Sequence, residues 1–210
     1  GGIGKRLRPK TESCPKPMLL IGEKPILEIL ITHCISYGFR NFYFSVNYLK
    51  EQIVSYFGDG SKWGANIRYL EESQPLGTAG SLKLLPKTIK EPLLVFNGDV
   101  LTQLNPNHLL AFHNEGGGSA SICVREHQVN VPFGVIKTAN NHLVSLIEKP
   151  TYIYMVNAGI YVIDPSLIDL IDQNKFTDMP NLLDEATSSG HRVTVCPIHE
   201  YWIDIGRPET

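Results

Sequence analysis

The first half of the chain alternates helix-period with strand-period segments, and that alternation limits the fold more than any single residue does. Ile26, Ile29, Leu30, His33, Cys34 and Tyr37 recur at three- and four-residue steps after Pro25, with Gly38 placed to end the last turn, which predicts a core-facing helix. Residues 41–46 predict a buried strand, 49–57 a short helix, 67–70 a second strand, 78–85 a helix, 93–96 an apolar strand and 107–113 a further helix. Strands separated by helices are not joined by tight hairpins, so they are expected to lie mainly parallel in one sheet with helices on both faces.

After Gly116-Gly117-Gly118 the pattern changes. Residues 121–125, 134–137, 143–147 and 157–163 predict closely spaced strands, with helices only at 166–171 and 182–188, so the second half is expected to add mixed or antiparallel strands to the first. With 210 residues, 42% of them hydrophobic and 19% charged, the chain suits one globular domain. A formal net charge of -2 gives no general attraction to nucleic acid or to an anionic membrane, so an anionic ligand needs a local site. Cys14, Cys34, Cys123 and Cys196 form no Cys-x-x-Cys pair, which fits free thiols in a reducing compartment and a cytoplasmic location. No apolar run approaches the roughly 18 residues that span a bilayer.

A local anion site stands at the front of the chain. In Gly1-Gly2-Ile3-Gly4-Lys5-Arg6-Leu7-Arg8-Pro9, three glycines let several backbone N–H groups face one point, the geometry that binds phosphate oxygens. Arg6 adds a planar fork, and Lys16, between Pro15 and Pro17, adds a point charge on a stiffened backbone. Neither familiar glycine loop is matched. The Walker loop needs Ser or Thr after Gly-Lys, where Arg6 stands, and the dinucleotide fingerprint needs a third glycine where Leu7 stands. The chain starts at Gly1 with no strand to aim this loop, so a strand is expected to precede it in the native protein, and the stop after Gly206-Arg207-Pro208 suggests trimming behind as well.

Two carboxylates complete the chemistry. Asp99, in Asn97-Gly98-Asp99, follows the strand at 93–96, at the end of an open α/β sheet where ligands sit. Asp204, in Trp202-Ile203-Asp204-Ile205-Gly206-Arg207-Pro208, is set on the opposite strand face from its apolar neighbours. Two carboxylates with triphosphate oxygens suit Mg²⁺. The seven histidines form no His-Glu-x-x-His or similar pair and are expected to be core or surface residues. The turn from Glu71-Glu72 through Gln74-Pro75-Leu76-Gly77-Thr78-Ala79-Gly80 offers carboxylates to a base edge and a backbone open to close approach. Glu148-Lys149-Pro150 offers an acceptor for sugar hydroxyls and a cation for a phosphate, while Val131-Pro132-Phe133-Gly134 and Asn157-Ala158-Gly159 are small-residue corners.

These motifs, in this order and across the whole length, resemble the sugar-1-phosphate nucleotidyltransferases, and the Glu-x-x-x-Pro-Leu-Gly-Thr-Ala-Gly segment is similar to the mannose-1-phosphate guanylyltransferase branch. The resemblance implies a Rossmann-like nucleotide-diphospho-sugar transferase fold: α/β, with a mostly parallel mixed central sheet, helices on both faces and a smaller antiparallel addition. It divides the single domain 1–210 into a nucleotide-binding half at about 1–115 and a sugar-binding half at about 116–210. It also implies the reaction of a nucleoside triphosphate with a sugar 1-phosphate to give a nucleotide sugar and pyrophosphate. Gly1, Gly2, Gly4, Arg6, Glu72, Gly77 and Thr78 would bind the nucleotide, and Arg6, Lys16 and Asp99 would act at the reacting centre. Asp99 and Asp204 would hold Mg²⁺, and Gly134, Glu148, Lys149 and Asn157 would bind the sugar phosphate. A carboxylate at Glu72 matches the two donors of guanine and favours GTP, with Gln74 close enough to compete and so UTP or dTTP as alternatives. Two other classes stay open: a nucleotide-sugar-sensing regulatory subunit, which would be expected to lack Lys16, Asp99 or Asp204, and a glycosyltransferase, which would carry Asp-x-Asp where Asn97-Gly98-Asp99 stands. Homo-oligomers are compatible with the sequence.

Overall fold

The first-half segments form much where the spacing predicts, but the strands at 41–46 and 66–71 pair parallel only with each other, while the one at 93–96 pairs antiparallel in a separate sheet, so the expected single parallel sheet does not form among the described residues. A computed structural model describes residue 9 and residues 11–206. Strands β1 (Leu20–Ile21) and β2 (Lys24–Pro25) form a small antiparallel ribbon that leads into α1 (Ile26–Ser36). In α1 the buried stripe is Ile26, Leu27, Leu30, Ile31 and Cys34, whereas Ile29, His33 and Tyr37 are only half-buried. The expected stripe was turned by about one residue. Gly38, at φ +96°, ends the helix as anticipated.

Strand β3 (Asn41–Val46) runs parallel to β4 (Asn66–Glu71), in register from Asn41↔Asn66 to Val46↔Glu71, and α2 (Lys50–Phe57) makes the crossover. Phe44 and Val46 from β3, Ile53 and Phe57 from α2 and Leu30 and Ile31 from α1 make one apolar cluster, in which Phe44 and Phe57 meet edge to face at 5.3 Å.

Among the described residues the main sheet is four-stranded, built from β5 (Leu93–Phe96), β7 (Ala120–Asn130), β10 (Thr151–Ile163) and β11 (Val193–Pro197) in the order β11-β7-β10-β5. β7 and β11 pair parallel, and β10 runs against both β7 and β5. Three strands therefore share a direction and the sheet is mixed. Alternation along β10 covers both of its faces. Ile160 and Val162 pack with Leu109 of α3 (Pro106–Gly116), while Tyr161 and Ile163 pack with Met179, Leu182 and Ala186 of α4 (Met179–Ser188). Ribbons β6 (Val100–Thr102) with β12 (Trp202–Asp204) and β8 (Val135–Ala139) with β9 (His142–Ile147) complete the chain, both antiparallel.

Two expected helices are short 3-10 helices, Gly80–Leu84 and Pro165–Leu170. In the first, the Thr177 carbonyl takes the Ala79 and Gly80 amides, and Leu85 is held extended at ψ 148° before Pro86, so too few residues remain for an α-helix. His113 is a core histidine: its ring joins Ser121 Oγ at 2.9 Å and Asp164 Oδ1 at 3.2 Å, pinning α3 to the sheet. All four cysteines are free thiols, with Cys123 and Cys196 opposite each other on β7 and β11. Burial pushes the Cys34 thiol up to about 11. Among the described residues no helix is long and apolar enough to cross a membrane.

Leu182, 1% exposed against Tyr161 and Met179, tests the sheet–α4 packing. Leu182→Ala should lower the unfolding free energy in urea by about 2–5 kcal/mol, and a loss under about 1 kcal/mol would contradict this core.

Candidate active site

Asp99 owes its position to two backbone exchanges. Where β5 ends, the Asn97 amide donates to the Gly159 carbonyl at 2.8 Å, which fixes the turn Asn97-Gly98-Asp99. β6 then pairs with β12 with Asp204 opposite Val100, and the Ile205 amide donates to the Asp99 carbonyl at 3.1 Å. Two carboxylates more than a hundred residues apart in sequence are thus brought to one edge.

Lys16 closes the cluster. It opens a 3-10 turn, Lys16–Met18, between Pro15 and Pro17, and Pro17 packs over Gly98, where a Cβ would come within 3.2 Å of its ring. The Lys16 ammonium bonds Asp99 Oδ2 and lies 3.9 Å from Asp204 Oδ1. Gly206 is the lid of this group: its amide donates to Asp204 Oδ1 at 2.7 Å, and a Cβ there would lie 2.4 Å from Lys16 Nζ. Any other residue at 206 would displace the lysine. The three side chains are partly open, with 19%, 21% and 38% of Lys16, Asp99 and Asp204 exposed. The donors here are carboxylate oxygens with no nitrogen or sulfur ligand, and among the described residues no group of three or more His, Cys, Asp or Glu assembles. Such a pair fits a hard cation that takes its other ligands from phosphate and water.

The corner Asn157-Ala158-Gly159 interlocks with that edge. Asn157 donates to the Tyr161 hydroxyl at 2.7 Å and accepts from the Gly159 amide at 2.8 Å, across an irregularity in the β7–β10 ladder. Gly159, at φ +69°, sits where a Cβ would be 2.6 Å from Asn97 Nδ2. Sequence reasoning missed the bond that closes this arrangement: the Trp202 indole donates to the Ala158 carbonyl at 2.7 Å. The signal was the tryptophan two positions before Asp204, on the same strand face.

The Glu72 turn forms a second group. Glu72 is 8% exposed, its Oε1 accepts from Ser45 Oγ and its Oε2 from the Leu76 amide at 2.9 Å, while Asn47 Nδ2 donates to its carbonyl at 2.8 Å. Burial opposes its ionisation, while the hydrogen bonds from Ser45 and Leu76 favour the carboxylate. The carboxylate thus shapes the turn as well as standing beside it. Gly77 follows at φ +81°.

Gly134 and Glu148 meet at the foot of the β8–β9 hairpin, where a Cβ on Gly134 would be 3.0 Å from Glu148 Oε2. Glu148 and Lys149 are exposed, and Lys149 takes a left-handed backbone at φ +43°. The structure therefore brings Lys16, Asp99 and Asp204 into one cluster, joins Asn157 to it through Gly159 and Asn97, and sets Gly134 with Glu148, and Glu72 with Gly77, as separate groups. Gly1, Gly2, Gly4 and Arg6, with Arg207 and Pro208, lie outside the described residues.

The family described as nucleotidyl transferase matches residues 1–210. Among curated relatives, the mannose-1-phosphate guanyltransferases of Pichia angusta and Saccharomyces cerevisiae are 34% and 32% identical over all of this chain and 60% of their own length. The mannose-1-phosphate guanylyltransferase catalytic subunit beta of Dictyostelium discoideum is 32% identical over the same shares. The chain thus spans about 60% of the length of the curated relatives it matches. Among solved structures, HddC from Yersinia pseudotuberculosis complexed with GMP-PN is 25% identical with a TM-score of 0.75, over 100% of this chain and 92% of that one. The fold is likewise that of a putative glucose-1-phosphate thymidylyltransferase from Bacillus anthracis in complex with sucrose, 19% identical with a TM-score of 0.77, over 100% and 88% of the two chains.

Two substitutions test the local geometry. Trp202→Phe leaves the buried Ala158 carbonyl without its donor and should cost about 1–3 kcal/mol in urea unfolding; a loss below about 0.5 kcal/mol would contradict the bond's role. Glu72→Gln, which weakens the acceptor that Ser45 Oγ and the Leu76 amide share, should lower stability by about 1 kcal/mol in urea unfolding; a loss below about 0.3 kcal/mol would contradict the turn-shaping role.

Proposed function

The chain belongs to the nucleotidyl transferase family, and from that premise we propose that it transfers a nucleoside monophosphate, GMP in the first instance, from the triphosphate to a sugar 1-phosphate. The observation that carries this reading is the meeting of the Asp99 and Asp204 carboxylates at the Lys16 ammonium, at the end of β5 and beside the Gly159 corner. The guanine preference is supported by the guanyltransferase relatives and by the GMP-PN complex of HddC. The thymidylyltransferase of the same fold keeps a dTTP or UTP reading second.

In the reaction, a phosphate oxygen of the sugar 1-phosphate forms a bond to the α-phosphorus, the bond from that phosphorus to the bridging oxygen of the β-phosphate breaks, and pyrophosphate leaves. The attacking phosphate is already ionised, so the chain has to bind, align and neutralise rather than move protons. Lys16 is the cation at the reacting centre; Gly206, lacking a side chain, leaves it room to reach the α-phosphate. Asp99 and Asp204 would hold Mg²⁺, which when bound supplies positive charge against the triphosphate oxygens. The loop of Gly1, Gly2, Gly4 and Arg6 takes the triphosphate, and the turn of Glu72, Gly77 and Thr78 faces the nucleoside. Gly134, Glu148 and Asn157 face the sugar, with Lys149 toward its phosphate.

Four nucleoside triphosphates assayed against a panel of sugar 1-phosphates with Mg²⁺ should give pyrophosphate release, fastest with GTP. Lys16→Ala, Asp99→Ala and Asp204→Ala should each lower kcat/KM by about 10²–10³ or more with circular dichroism unchanged. Turnover retained in both aspartate variants would remove them from the reacting centre. Release absent with every pair would overturn the transfer reading.

A further inference from the structure

The N-terminus of α4 is capped by a residue about a hundred positions away. Asp178 occupies the N-cap position, at φ −86° and ψ 154°, but its side chain makes no capping bond to its own helix. Its Oδ1 instead accepts from the Thr78 amide at 3.0 Å and from Thr78 Oγ1 at 3.2 Å, and Thr78 Oγ1 accepts the Met179 amide at 2.7 Å. The two residues cap each other's segments reciprocally, a capping box closed across the chain.

The contact continues on both sides. The Thr177 amide donates to the Leu76 carbonyl at 2.9 Å, and Gln74 Nε2 donates to the Asn174 carbonyl at 2.6 Å. There is no slack: a Cβ on Gly77 would lie 2.5 Å from the Thr177 carbonyl oxygen, and one on Gly80 2.8 Å from that of Lys175. Gly77 keeps its left-handed backbone against this wall, so the orientation of the Gly77 and Thr78 amides is set by the segment that leads into α4.

We propose that Asp178 is a positioning residue for nucleoside triphosphate binding: its carboxylate holds the Gly77–Thr78 turn in the shape that meets the nucleoside. The inference rests on the reading of that turn as the nucleoside contact. An N-cap that only stabilised α4 would accept from the amide of Asn181, the third of its own helix, since the second residue, Pro180, has no N–H. Asp178 turns its acceptor away from the helix and onto the turn.

The test is equilibrium titration of GTP against wild type, Asp178→Ala and Asp178→Asn, with steady-state kinetics alongside. Asp178→Ala should weaken GTP binding about tenfold and raise its KM to match, because the Thr78 amide and hydroxyl lose their acceptor. KM for the sugar 1-phosphate should stay within about twofold and kcat within about threefold. Asp178→Asn, which keeps an oxygen acceptor, should recover GTP binding to within about threefold. Should Asp178→Ala fail to fold, Asp178→Ser, which still offers α4 an N-cap hydroxyl but gives Thr78 no carboxylate, should give the same shift in GTP affinity. GTP affinity within about twofold of wild type, beside a lowered unfolding midpoint, would make the contact a helix cap and overturn the proposal. Wild type that binds GTP without releasing pyrophosphate would sink the transfer reading and leave this test standing; wild type that binds no triphosphate would overturn both.

Discussion

Two carboxylates held near each other repel unless a cation stands between them, and the described structure is arranged around the lysine that does so. Lys16 reaches both Asp99 and Asp204 only because Pro17 seats on Gly98, β12 pairs with β6, and Gly206 carries no side chain. Each element is ordinary by itself. Together they fix three charges contributed by three distant segments of the chain at one edge of the sheet.

Around that centre the molecule supplies walls of different rigidity. The Asn97, Gly159, Ala158 and Trp202 bonds tie the end of β5 to the bulged stretch of β10 and to β12, and they are backed by the cluster of Val100, Ile160 and Leu109. The Glu72 turn is fixed at one end by Ser45 and Leu76 and at the other by Asp178. The β8–β9 hairpin is different: Ile136, Leu143, Val144 and Leu146 are all more than half exposed, so its place rests on strand pairing rather than on burial.

Much of this was legible in the sequence where one physical signal dominated. Helix α1, strands β3, β4 and β5 and helix α3 follow from apolar spacing, and Lys16, Asp99 and Asp204 follow from the need for charge beside small or stiff backbone. Strand length was not legible for β7, which runs on to Asn130, or for β10, which starts already at Thr151, because these arms are largely exposed and no buried stripe marks them. β11 was missed because its alternation is short and half exposed. The 78–85 segment stops as a short 3-10 stretch because Leu85 is already extended before Pro86, while Ala79 and Gly80 are tied to the Thr177 carbonyl by a contact that local spacing does not encode. For the same reason the sequence was silent on Asp178 and on the way Ser45 engages Glu72. Residue type announces chemistry, but which partner claims it is decided by the fold.

The most direct test of the central claim is a crystal of the chain with GTP and Mn²⁺ in place of Mg²⁺, the ion being located by its anomalous scattering. One ion should be bonded to an oxygen of Asp99, an oxygen of Asp204 and the triphosphate, with the Lys16 ammonium moved onto an α-phosphate oxygen. An ion that contacts neither aspartate, or a Lys16 still fixed between them with the nucleotide bound elsewhere, would contradict it.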